Sequence, residues 1–193
     1  MEPTEGLPEI VRSTMRLEQA AALDKAVHVV ESLVRPWAGT GPVAPVLRGD
    51  WLGHAVHPLL TDVAVGAWMS TSLLDVLAGP EAAAAAQRLV GIGVVAFFPT
   101  AWTGWAEWST ISPRDKRVGL VHAVSNGVAA AIYATSWRAR RRGRHRTGAG
   151  LALGGLAIAG VGAYLGGHLT EGRRVATHHP AYDDTTPAAP PTE

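Results

Sequence analysis

Cysteine is absent from the 193-residue chain. That excludes disulfides, thiolate metal sites and cysteine-ligated iron–sulfur clusters built from this chain. Net charge is nearly absent too, at +1, so nothing points to a nucleic-acid partner. The opening residues, Met1 to Ile10, lack a basic start followed by an apolar core, so no signal peptide is expected. No HExxH, CxxCH or nucleotide-binding pattern occurs, and no serine sits in a recognisable nucleophile–base pairing. Mean hydropathy is only +0.11, so the average conceals the main feature of the chain. Charge is crowded into the two tails and two loops, and the stretches between them are long and apolar.

Four such stretches are legible, at about 57–77, 86–108, 118–137 and 147–169. Each reaches the ~20 residues that cross a bilayer core. Pro58 suits a first helical turn, and Pro99 predicts a kink in the second span. The last span has no polar stripe, which a soluble surface helix needs. Trp51, Trp105 and Trp108 at one set of ends, and Tyr133 with Trp137 at the other, read as interface belts. The predicted fold class is all-α, an integral membrane four-helix bundle with an N-terminal amphipathic helix. Residues 1–46 form an N-terminal tail, disordered to residue 13 and helical over 14–34. Residues 47–171 are the transmembrane domain and 172–193 a flexible C-terminal tail. The 14–34 helix is too charged to span and is expected to lie on the membrane or cap the bundle.

Gly155, Ala159, Gly162 and Gly166 form a row of small residues on the fourth span, expected to let helices pack closely. The loop from Arg138 to Arg146 carries six arginines. The positive-inside rule places it in the cytoplasm, with the chain a multi-pass protein of the bacterial cytoplasmic membrane.

Four spans bring distant polar residues to one membrane face. His54, His57 and Asp62 lie at the start of span one, and Glu107 at the end of span two. His122 is near the start of span three and His168 at the end of span four. Asp62 and His122 share a shallow depth. A charge there needs a partner inside the bundle, and His122 is the expected one. Three readings compete. The histidines are structural; or His57, Asp62, His122 and His168 bind a transition-metal ion; or His57, His122 and His168 supply axial ligands to haem b. His28, His54 and His145 read as surface residues, and His178-His179 as part of the tail. A transporter would use Asp62 as its coupling residue.

The run from Gly49 to Asp62, centred on His54-Ala55-Val56-His57-Pro58, resembles a bacterial membrane family catalogued as domain of unknown function 2231. Leu120-Val121-His122-Ala123 and Tyr164-Leu165-Gly166-Gly167-His168-Leu169 resemble its third- and fourth-helix patterns. The resemblance covers about residues 47–185. It implies a four-helix membrane domain without an established activity. Some relatives resemble fusions to Rieske-type or cytochrome c-like domains, which implies electron transfer at the membrane. In many relatives the position of Asp62 resembles a histidine, which implies a metal ligand or its hydrogen-bond partner. The expected function is therefore a membrane electron-transfer component working with a separate iron–sulfur or cytochrome protein. The alternative is a non-catalytic membrane anchor or assembly module.

Overall fold

The computed structural model describes residues 6–176. The segment from 177 onward, with His178 and His179, lies outside the described residues. Seven α-helices occur among the described residues: α1 Glu9–Glu18, α2 Asp24–Val34, α3 Val43–Arg48, α4 His57–Leu77, α5 Ala83–Trp108, α6 Pro113–Arg141 and α7 His145–Gly167. Among the described residues there is no strand. Four helices, α4 to α7, are long and apolar enough to cross a membrane. They pair as two hairpins, α4 with α5 and α6 with α7.

Local chemistry sets the helix ends. Gly49 closes α3 at φ +83°, where a Cβ would overlap the His54 carbonyl, so only glycine fits that turn. At the start of α6, Ser112 Oγ accepts the Asp115 N–H at 3.2 Å, and Pro113 follows at the first helical position. The start of α4 has no side-chain cap of its own. The Glu107 carboxyl of α5 faces the backbone N–H of His57, which puts an acid at a helix N-terminus. Helix α5 runs unbroken through Pro99.

The sequence conceals an internal repeat that the structure exposes. Residues of α4 and α6 correspond at a constant offset of 65. Corresponding residues also touch. The His57 and His122 rings lie 6.5 Å apart, and the Trp68 and Tyr133 rings stack at 4.3 Å with planes 8° apart. Arg140 binds Asp75 through both terminal guanidinium nitrogens. The second helices match likewise. Thr71 donates to the Ala86 carbonyl as Ser136 donates to that of Gly148. Gly93 leaves space for Trp68 as Gly155 does for Tyr133. Equivalent residues meet one another only on a two-fold axis. Because α4 and α6 run in the same direction, that axis lies along the bundle, as in parallel repeats of transporters. At ~1.5 Å per residue, the three paired levels span roughly 27 Å of it.

Two expectations are corrected. The helix expected over 14–34 is two helices, broken at Gln19 and Ala20, and helical structure starts at Glu9 within the stretch expected to be disordered. Tyr133 and Trp108 are buried, at 0% and 5% exposure. Tyr133 belongs to the central core with Trp68, Val90, Ala130 and Ala152, and Trp108 packs with Val27 and Leu120.

Helices α1 and α2 cap the end of the bundle where α4 and α6 begin. Lys116 pairs with Glu31 at 2.7 Å, Arg117 with Asp24 at 2.7 Å, and Arg114 with Glu18 at 2.6 Å.

Candidate functional site

His57 and His122 form the centre of the candidate site. His57 Nδ1 lies 2.8 Å from the Thr100 carbonyl of α5, and His122 Nδ1 lies 2.8 Å from the Gly162 carbonyl of α7. A carbonyl only accepts, so each Nδ1 carries the proton and each neutral ring keeps its lone pair on Nε2. The anchors are repeat-equivalent. So are the glycines one turn beyond them: a Cβ on Gly104 would stand 2.8 Å from His57 Cε1, and one on Gly166 3.0 Å from His122 Cε1. Each ring is therefore seated on a glycine of its own hairpin and turned toward the other hairpin at an interplanar angle of 79°.

The two halves differ around the rings. Asn126, one turn along α6, brings Nδ2 to 3.2 Å from His122 Nε2 and donates to its lone pair. A Cβ on Gly162 would meet the Asn126 side chain. In the other half the equivalent residue is Thr61, whose hydroxyl bonds back to the His57 carbonyl at 2.9 Å, so His57 has no matching donor there. Glu107 Oε1 is buried without a hydrogen-bond partner among the described residues.

The remaining sequence candidates lie elsewhere. Asp62 is exposed on α4, with no hydrogen bond or ion pair joining it to His122. Five residues from His57 it has rotated about 140° around the helix, off the facing side. His168 turns to the cap, with Nε2 2.8 Å from Glu18 Oε1. Glu18 is buried, and Arg114 and Arg173 also face its carboxylate. The four-residue cluster expected as a metal site is thus not assembled. Among the described residues no three His, Asp or Glu side chains converge as metal ligands do. His28 and His54 are exposed, and His145 is half-buried.

Sequence reasoning missed Gly104, Asn126, Trp68, Asp75 and Arg140 as parts of this axis. The signal was present but faint: His-x10-Trp-x2-Thr-x3-Asp in α4 is matched by His-x10-Tyr-x2-Ser-x3-Arg in α6.

A family model described as predicted membrane protein, DUF2231, matches residues 53–179. The chain belongs to that family. The match begins just before His54 and takes in both hairpins, so the repeat and the histidine pair lie inside the family's own domain. Neither a curated protein nor a solved structure matches the chain.

Proposed function

We propose that this member of the family is a membrane electron-transfer component holding one transition-metal ion between its two hairpins, through Nε2 of His57 and Nε2 of His122. The observation that carries the reading is the matched pair of imidazoles. They sit at equivalent positions, each orienting Nδ1 to a backbone carbonyl, an arrangement that metal-ligating histidines share. With their centroids 6.5 Å apart, the two rings would be the residues that hold such an ion. Neutral imidazole suits copper, zinc, iron or nickel. When bound, a copper or iron ion supplies a one-electron couple. The chain's own residues orient the two rings, and the bundle below excludes water with the Trp68–Tyr133 stack. Asn126 donates to the His122 lone pair, so His122 would bind an ion only with that hydrogen bond given up. Asp62 and His168 are not ligands in this reading.

Haem b fits these residues poorly. The glycines that would leave space for a macrocycle already carry the His57, His122, Asn126 and Tyr133 side chains. A separate redox protein is the partner, and the Arg138–Arg146 loop faces the cytoplasm. Since the chain has no cysteine, Arg142→Cys gives a single label site, and labelling from outside intact cells would reverse that orientation.

One observation favours the structural alternative: both ring nitrogens of His122 already have partners within the protein. Elemental analysis of detergent-purified protein, with oxidised and dithionite-reduced spectra, decides. One ion per chain is expected, lost in His57→Ala and His122→Ala and kept in Asp62→Asn and His168→Ala. A Soret band would replace the ion with haem. Metal-free protein after metal-supplemented expression would leave the anchor or assembly module.

A further inference from the structure

A cleft of about 770 Å³ opens between α5 and α6 on the flank of the bundle. Its two ends differ in chemistry. Arg88 and Arg141 stand at the end nearest the arginine-rich loop. From there the walls are apolar, with Ile92, Val95 and Pro99 along α5. Eleven residues separate Arg88 from Pro99, so the groove runs about 16 Å into the membrane layer. Trp137 forms the shoulder under the mouth, and the Arg141 guanidinium lies 5.0 Å from the centre of its ring, which fixes the cation at the entrance.

The arginines at the mouth have no acid to neutralise them among the described residues. Neither Arg88 nor Arg141 has a carboxylate partner among the described residues, whereas their neighbour Arg140 is paired with Asp75 and buried. At the opposite end of the bundle Arg114, Lys116, Arg117 and Arg173 are all paired with acids. Two unpaired guanidinium groups at the membrane boundary, above an apolar channel of acyl-chain length, suit one occupant. A phosphodiester accepts charge-assisted hydrogen bonds from both arginines, and basic pockets between membrane helices select anionic head groups.

We propose that this cleft is a binding site for an anionic diacyl phospholipid. The phosphate lies between Arg88 and Arg141, and one acyl chain runs past Ile92 and Val95 to Pro99. The site is independent of the histidine pair. A lipid seated there buttresses the α5–α6 contact that joins the two hairpins.

Native mass spectrometry of the full chain in detergent tests this, with phosphatidylglycerol and phosphatidylcholine of identical acyl chains as probes. The wild type retains phosphatidylglycerol in preference. Arg88→Gln with Arg141→Gln reduces that preference about tenfold. Val95→Trp, which fills the channel and leaves every charge in place, lowers retention of the same lipid. Arg142→Gln with Arg144→Gln, on the loop outside the cleft, leaves it unchanged. Equal retention of the two lipids by the wild type would overturn the site. So would an equal loss from the loop variant, or full retention in Val95→Trp. Arg88→Gln alone, at an exposed position, provides the same reading should the double variant fail to fold.

Discussion

At the scale of single residues, the glycines of α7 separate packing from mere composition. Gly166 and Gly167 are adjacent, yet their surroundings are opposite. A Cβ on Gly166 would stand 3.0 Å from His122 Cε1, whereas one on Gly167 meets nothing within 4 Å. Gly166→Leu must therefore displace the His122 ring from the Gly162 carbonyl, at a cost of about 1–3 kcal/mol. Gly167→Leu projects outward and gains up to roughly 1 kcal/mol of helix propensity. Thermal unfolding in detergent should show a lowered midpoint for the first variant and an unchanged or raised one for the second. Equal effects would mean that the glycine row is not a seat for side chains. The same contrast explains which site residues were readable beforehand. His57 and His122 follow from topology, because span order puts both at one face. Asp62 fails on helical phase, which depth alone does not report. His168 fails because its partner, Glu18, comes from a segment whose docking no local pattern encodes.

At the scale of elements, the four spans were legible because a bilayer demands about twenty apolar residues in a row, and that demand writes itself plainly into the chain. The cap was not. Nothing in the stretch around Gln19 and Ala20 resembles a helix breaker. The break exists because Glu18 turns inward to meet Arg114, Arg173 and His168, and because Asp24 starts a second helix facing Arg117. Helix α2 is thus held at its start by a charge pair that acid can open. Arg117 binds both oxygens of Asp24, and this hydrogen bonding holds the Asp24 carboxyl below its ordinary 3.8. A carboxylate depressed in the folded state stabilises docking at pH values above that ordinary value. The contribution is lost as pH falls through the lowered folded value. Amide protection factors over α2 should be high at neutral pH and should fall below about pH 4, before those of the transmembrane helices. Asp24→Asn should show the lowered protection at neutral pH already. Protection that stays flat with pH, and is the same in the variant, would show that apolar contacts of Val27 and Val34 hold the cap alone.

At the scale of the whole molecule, the two-fold repeat organises everything the separate spans do. It was barely readable, because beyond the two histidines and the paired glycines equivalence is kept in role and not in identity: Trp answers Tyr, Thr answers Ser, and Asp answers Arg. The last substitution is the telling one. A symmetric pair at that level would set two like charges against each other on the axis. The chain has instead diverged into a complementary pair, and that divergence locks the order of the two hairpins. Arg140 is 1% exposed, and its Nε also donates to Ser136 at 3.2 Å. Removing either partner strands a buried charge, which costs about 3–5 kcal/mol. Asp75→Asn and Arg140→Gln should each lower the unfolding midpoint sharply and reduce the yield of folded protein. Since the two positions are related by the axis, the exchanged pair, Asp75→Arg with Arg140→Asp, places the same charges in mirrored sites. Thr71 then stands one turn before the new arginine as Ser136 does before the old one. The double variant should recover part of the stability that either single charge reversal loses, Ala86 standing where Gly148 makes room for Arg140, measured as a coupling energy in a double-mutant cycle. Additive losses with no recovery would mean that the halves are not interchangeable at this level, and the repeat would then be a feature of the backbone alone.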